Sequence, residues 1–313
     1  MSKSLFIGAV LFSSVTLAAV SLGQGPPPGA GPGGAPRGPR PITLEQLTPN
    51  VYWVHNVGFG AFIVGDKGVI VIDTGGSPGV GKQIVDAVAK VTPLPITTLI
   101  LSHDDADHVD GIAAFPSGME IIAQENSKKF IADAIASGDT GPEAPKVPAA
   151  YLPNHTVAKR EVRTIDGVKL ELLHWAPAHT NADLVVYLPD QKLVLLGDLL
   201  VMDQHDLPLI HMEKGGTSKG WIESVKGVLA LDATKYVVGH EGVVGRDGIE
   251  KQLQAAVAER EKVKQLYDKG MSLADIQAAV GDPIPPPPGV KASPAHFPPY
   301  SEVLYTELKE GKY

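Results

Sequence analysis

No cysteine occurs among the 313 residues. That removes disulfides, thiolate metal ligands, thiol nucleophiles and a lipid-modified N-terminal cysteine from consideration. It is compatible with an oxidising compartment without requiring one. A basic surface is also missing: 27 Lys and Arg against 35 Asp and Glu leave a formal net charge of -8, and no Lys/Arg cluster stands out. This argues against nucleic acid as the main partner, because phosphate backbones need a basic stripe, and a small-molecule substrate is expected instead. Gly75-Gly76-Ser77-Pro78-Gly79 lacks the Gly-Lys-Ser/Thr ending of a phosphate loop and reads as turn chemistry. No internal repeat is present. What is abundant is apolar: hydrophobic residues make up 43% of the chain, enough for a substantial core.

The N-terminus predicts a compartment. Lys3 precedes an apolar run from Leu5 to about Leu22, and the small residues Ser21 and Gly23 fit a signal-peptidase site, so residues 1–23 read as a secretory signal cleaved near Gln24. The expected location is periplasmic or secreted. The alternative is an uncleaved membrane anchor, since the run approaches the ~20 residues that span a bilayer. Residues 24–41, from Pro26-Pro27-Pro28 to Pro39-Arg40-Pro41, form a Pro/Gly tether that cannot bury apolar surface.

The folded part then begins near Ile42. Tyr52 to Val54, Ala61 to Val64 and Val69 to Ile72 read as short strands separated by Gly and Asp turns. Val80 to Val91 has helical spacing and is stopped by Pro93 and Pro95. Thr98 to Leu101 is a strand, and Glu120 to Ala123 followed by Glu125 to Ala136 is a strand–helix pair. Hairpins first and strand–helix alternation later fit two sheets flanked by helices, an α/β architecture. The main domain is set at 42–248. Residues 249–313 are expected as a helical extension packed on it, with helices at Ile249 to Asp268, from Ser272 to before Gly281, and at Tyr300 to Lys309, and with a tetraproline at Pro285 to Pro288. The segment from Ser137 to Arg163 shows no clear periodicity and reads either as a lid or as a surface excursion.

The densest chemistry lies in His103-Asp104-Asp105-Ala106-Asp107-His108, which follows the apolar run Leu99 to Leu101. In an extended chain, His103, Asp105 and Asp107 would point to one side and Asp104 and Ala106 to the other, with His108 swung in by a turn. Imidazole with carboxylate suits zinc, iron or manganese. A solvated acidic loop would explain this stretch alone. It does not explain His179, Asp198 and His240, each of which also sits just past a strand pattern, as expected of a site assembled at one edge of a sheet.

In this order of parts, from Val71-Ile72-Asp73-Thr74-Gly75 through the His103 to His108 loop to His179, Asp198 and Gly239-His240-Glu241-Gly242, the chain resembles the metallo-β-lactamase superfamily over roughly residues 50 to 245. The resemblance implies an αββα sandwich and a two-metal site. His103, Asp105 and His179 would hold one ion, Asp107, His108 and His240 the other, and Asp198 would bridge them. Asp73, Thr180 and Asp183 would support the ligands from behind. It implies metal-assisted hydrolysis of an ester, lactone, thioester or β-lactam by a hydroxide that the ions make available, with Asp107 orienting it and relaying its proton. The usual β-lactamase pattern places Cys or Ser where Asp198 stands, which counts against a β-lactam.

One position departs from the family's His-x-His-x-Asp-His motif: Asp105 replaces the middle histidine, as in the similar diiron domain of flavodiiron proteins. Two divalent ions bring four positive charges, and Asp105, Asp107, Asp198 and a hydroxide cancel all four. Manganese or iron thus becomes possible beside zinc. An iron-dependent oxidoreductase is a second expectation, although no flavodoxin-like domain accompanies it, and a non-catalytic metal-binding protein is a third. Tyr151, Leu207, Leu209 and His211 are candidates for lining a substrate pocket. His55, His155, His174 and His296 read as structural, and the sequence leaves the oligomeric state open.

Overall fold

The structure, a computed structural model, describes residues 41–141, 144–203, 205–282 and 297–313. The expected signal, all of the tether except Pro41, and the tetraproline lie outside the described residues. Among those described, no helix is long and apolar enough to cross a membrane.

The first sheet has seven strands in sequence order: β1 (Thr43–Thr48), β2 (Val51–His55), β3 (Ala61–Val64), β4 (Val69–Ile72), β5 (Ile96–Ile100), β6 (Glu120–Gln124) and β7 (His155–Val157). The first four pair as antiparallel hairpins; β4 to β7 run parallel. The parallel half needs crossovers, which helices α1 (Pro78–Val91) and α3 (Glu125–Ser137) supply. A single helical turn, α2 (Ala106–Val109), follows β5. The second sheet runs β13-β12-β11-β10-β9-β8, built from β8 (Arg160–Ile165), β9 (Val168–Leu173), β10 (Val185–Leu188), β11 (Leu193–Leu195), β12 (Lys235–Val238) and β13 (Gly242–Val244).

Alternation along the strands divides the apolar residues between layers. Ile63, Ile70, Ile72, Ile100 and Ile122 face the second sheet and meet Leu170, Leu172, Val186, Leu195 and Val237. Their neighbours Phe62, Val71, Leu99, Leu101 and Ile121 face outward, onto Ile84 and Val88 of α1 and Ile131 of α3. Val185, Tyr187, Val194, Tyr236 and Val238 cover the other outer face. There they meet α4 (Ser218–Leu229), α5 (Arg246–Asp268), α6 (Leu273–Val280) and α7 (Tyr300–Lys309) through Trp221, Val225, Ile249, Val263, Ile276 and Val303. Three cores around two sheets make the expected αββα sandwich. Burial on both faces is why Val69–Ile72 reads as an unbroken apolar run.

The helix boundaries follow their caps. Ser77 Oγ accepts from Val80 N at 3.3 Å, so α1 starts at Pro78, two residues before the periodic pattern begins. Ser272 caps α6, and Gly281, with φ 89°, ends it. The segment 137–163 differs from the aperiodic reading. It contains β7 and the start of β8, an edge strand whose polar Arg160-Glu161-Val162-Arg163-Thr164 pattern carries little hydrophobic signal. Val147 of this segment is buried in the first sheet's outer core, and Ala144 is buried too.

Candidate metal centre

Strand ends deliver each ligand to one place. β5 stops at Ile100, the chain bends at Ser102 and is extended again at Asp105 (φ -67°, ψ 143°), and His103 and Asp105 come into one group. Asp104 faces away, towards Lys214, as alternation predicts. The extended path then ends, because Asp105 O accepts from His108 N and Val109 N at 2.9 and 3.1 Å and begins α2. Asp107 is therefore placed by a helical turn and not by strand alternation, a correction to the sequence expectation. His179 comes from the loop after β9, Asp198 from the turn after β11, and His240 from the turn after β12.

Ligand atoms converge in three overlapping groups, each spanning no more than 4.8 Å: His103, Asp105 and His179; Asp107, His108 and His240; and His103, His108 and Asp198. Asp198 connects the halves. Its Oδ1 lies 3.3 Å from His108 Nε2 and its Oδ2 3.2 Å from His240 Nε2. Asp107 Oδ2 is 3.1 Å from His240 Nε2 and 3.7 Å from His108 Nε2. Asp105 Oδ2 lies 3.3 Å from His103 Nε2 and 3.5 Å from His179 Nε2. His103, Asp105, His108, His179 and Asp198 are buried, whereas the side chains of Asp107 and His240 are about half exposed, so the cluster opens to solvent on that side.

The surroundings fix which nitrogens face inward. His108 Nδ1 donates to Asp73 Oδ2 at 2.8 Å, and His179 Nδ1 donates to the Leu209 carbonyl at 2.8 Å. Ser102 Oγ donates to Asp73 Oδ2 at 2.6 Å and accepts from His103 Nδ1 at 3.0 Å. All three rings thus turn Nε2 towards the cluster, as metal-binding imidazoles do when the other nitrogen is occupied. These Nε2 atoms, together with Asp198 Oδ1, are buried without a hydrogen-bond partner. Several orphaned polar atoms aimed at one another would be costly unless a cation joined them, so the residues fit divalent ions. The backbone is shaped for the same purpose. Gly239 packs so tightly that a Cβ there would fall 1.9 Å from Asp198 Oδ1, and His240 adopts a left-handed φ of 60°.

The electrostatics are those of an anion–cation lattice. Burial pushes the Asp198 and Asp105 carboxyls up, but the charges of His108 and His103 and the close approach of His240 to Asp198 and of His211 to Asp105 outweigh it and hold both well below the usual range. Burial likewise works against a charged His108, and Asp198 and Asp73 raise it well above the ordinary value. His240, bonded to Asp107 and Asp198, is pushed up to about 10.

The structure brings all seven sequence-proposed ligands together, with Asp73 directly behind His108. Thr180 and Asp183 do not touch the ligand atoms; Thr180 N and Oγ1 donate to the Asp183 carboxylate and close the loop that carries His179. His211 does reach the cluster, its Nε2 2.9 Å from Asp105 Oδ2, and Leu209 contributes its carbonyl to His179. Leu207 is instead buried in the helix-side core, and the Tyr151 hydroxyl donates to the Phe115 carbonyl while its ring packs on the first sheet's outer core. Their apolar surface is used in packing, so neither is brought to the cluster. His55 bonds Glu45, His155 bonds Glu161, and His174 bonds the Asp183 carbonyl, all away from it; His296 lies outside the described residues. Sequence reasoning missed Lys214, whose Nζ is 2.5 Å from Asp105 Oδ1, and Phe297, whose ring centroid lies 4.3 Å from that of His211. A single Lys before Gly215-Gly216 and a Phe after a proline-rich stretch give no signal of their own.

The chain is also similar to known proteins. The chain is 29% identical over 202 residues to the alpha subunit of 2,4-dinitroanisole O-demethylase from Nocardioides sp. (strain JS1661), covering 64% of this chain and 57% of that one. It is 24% identical over 241 residues to the linear primary-alkylsulfatase of Pseudomonas sp. (strain ATCC 19151), covering 65% of this chain and 44% of the relative. The solved stereoselective inverting sec-alkylsulfatase from Pseudomonas sp. superimposes with a TM-score of 0.68 at 18% identity, over 87% of this chain and 51% of its own, which shows a shared fold. This chain thus spans about half the length of these relatives. The family profile of the metallo-β-lactamase superfamily matches residues 57–240, from the turn after β2 to the last ligand. The chain belongs to the metallo-β-lactamase superfamily.

Proposed function

We propose that the protein is a metal-dependent hydrolase with a dinuclear site that cleaves a small carbonyl ester, lactone or thioester. The observation that carries this reading is the set of buried, unpartnered Nε2 atoms of His103, His108 and His179 around Asp198. His103, Asp105 and His179 would hold one ion, Asp107, His108 and His240 the second, and Asp198 would bridge. Bound divalent ions would supply Lewis acidity and lower the pKa of a coordinated water towards neutrality. Asp107 is the acid of the cluster that opens to solvent, and its place beside His240 suits it to orient the attacking water and accept its proton. Asp73 and Ser102 keep His108 and His103 in the tautomers that this requires. Phe297 and His211 border the same cluster and would offer a ring surface to the substrate.

A second reading has its own support. The similarity to an O-demethylase and an alkylsulfatase favours an aryl ether or a sulfate ester as the bond cleaved. One experiment separates these readings. Chelator-stripped protein is reloaded with zinc, manganese or iron and assayed on a carboxylic ester, a lactone, a thioester, an alkyl sulfate, a methyl aryl ether and a β-lactam. Turnover among the first three supports the primary reading. Turnover of the sulfate or ether alone moves the function to the second, and turnover of the β-lactam alone makes the protein a β-lactamase. Ferric absorption with no hydrolysis points to an oxidoreductase, and bound metal without any turnover or redox activity to a binding protein.

A further inference from the structure

Lys214 is 9% exposed, and its ammonium sits between two buried carboxylates, 2.5 Å from Asp105 Oδ1 and 3.1 Å from Asp104 Oδ2. A buried lysine is costly unless paired, so its presence beside the cluster requires an explanation. The chain positions it with care. Lys214 ends a short 3-10 turn (Met212–Lys214) that is fastened to the His179 loop: His211 N donates to His179 O at 2.8 Å, Asn181 N to Lys214 O at 3.0 Å, and Thr217 N to Ala178 O at 3.1 Å. Gly216 permits the approach, since a Cβ there would meet His179 O at 2.4 Å. Lys214 and the ligand His179 therefore belong to one stitched unit, while Asp105 arrives from a strand end 109 residues earlier.

The two oxygens of Asp105 have different partners. Oδ1 is held by Lys214, and Oδ2 faces His103, His179 and His211 at 3.3, 3.5 and 2.9 Å. A carboxylate differs from an imidazole in offering two equivalent donors, and left free it can rotate between one-oxygen and two-oxygen contact with an ion. An ammonium at 2.5 Å removes that freedom and withdraws charge from the bonded oxygen.

We propose that Lys214 is a positioning residue that makes Asp105 a one-oxygen ligand, presenting Oδ2 alone where the family's usual motif has the single nitrogen of a histidine. This rests on the metal reading proposed above. The charge count from sequence alone omitted this ammonium, which shares Asp105 with any ion bound beside it.

The test is a double-mutant cycle read by zinc affinity, measured by competition with a chromophoric chelator, with thermal melting in excess chelator as the check on folding. Lys214→Met should weaken zinc binding by about 10–100-fold, the loss typical of an outer-shell partner. In the Asp105→Asn background the same substitution should have little effect, because the carboxylate it positions is gone. Lys214→Arg should stay closer to the parent than Lys214→Met does. If Lys214→Met lacks a cooperative melt, Lys214→Gln, which keeps a polar chain without the charge, replaces it in the cycle. Equal fold-losses in both backgrounds would mean that Lys214 only packs the loop, and would overturn the proposal; so would parent-like zinc binding by the Lys214 variant. A parent that binds no divalent ion at all would instead overturn the metal reading on which the proposal rests.

Discussion

Asp73 Oδ2 lies 2.8 Å from His108 Nδ1, and both residues are fully buried. The same carboxylate accepts from Ser102 N and Oγ, so one side chain fixes the orientation of His108 directly and of His103 through Ser102. Asp73→Asn keeps the shape but can no longer accept on both oxygens. We expect a loss of about 10–100-fold in metal affinity with the fold retained. Isothermal titration of zinc into chelator-stripped protein checks it, and unchanged affinity would remove Asp73 from the site's design.

Gly239→Ala should act through Asp198. The added methyl would stand 1.9 Å from Asp198 Oδ1 and 3.0 Å from the Gly197 carbonyl, and the side chain is the part that can yield. Displacing the bridge should lower metal content below two ions per chain while far-UV circular dichroism stays unchanged. Full occupancy in this variant would show that Asp198 does not join the two halves.

Protonation gives a prediction for the metal-free chain. His108, His179 and His240 all titrate above their ordinary value, His240 at about 10, because Asp105, Asp107, Asp198 and Asp73 favour their charged forms. A raised histidine contributes stability that is fully present below its unfolded value of 6.5 and is lost as pH rises through the folded one. Stripped protein should therefore melt at progressively lower temperature between about pH 6.5 and 10. The carboxylates act in the other direction. Asp105, Asp107 and Asp198 are lowered, so their contribution is present above the unfolded 3.8 and fades as pH falls through the depressed values. Metal binding must displace the imidazole protons, so loading near pH 7 should acidify a weakly buffered solution. Melting that is flat between pH 6.5 and 10, or loading without proton release, would contradict this.

The C-terminal helices should matter for stability and not for metal content. Glu307 of α7 is 3% exposed; it accepts from Ser218 N at 2.7 Å at the start of α4 and pairs with Arg260 of α5 at 3.3 Å. Glu307→Ala removes the buried carboxylate that Ser218 N and Arg260 share, leaving Arg260 with Ser218 Oγ and the Tyr313 ring and α4 with its Thr217 cap, so we expect a loss of about 3 kcal/mol by analogy with broken buried pairs. Chemical denaturation measures it. A variant as stable as the parent would show that the three helices are held by apolar packing alone.

Legibility in the sequence followed locality. His103, His108, His179, Asp198 and His240 are readable because each follows a short apolar run with the pattern of a buried strand. The sandwich was readable because its hairpins precede its strand–helix units. Lys214 was not, since its partner lies 109 residues away and nothing local marks a buried lysine. β8 is hidden because an edge strand buries only part of one face, and Arg160, Glu161, Arg163 and Thr164 in it are polar. Leu207 and Tyr151 suggested a substrate surface for the same reason that they pack: apolar character alone does not say which surface it will cover.

Metal content tests the central claim most directly. Parent protein and Asp198→Ala, each stripped, reloaded at micromolar supply and desalted, are compared by elemental mass spectrometry. The account predicts two ions per chain in the parent and fewer than two in a variant that still melts cooperatively. A parent without metal, or an Asp198→Ala variant that keeps both ions, would contradict it.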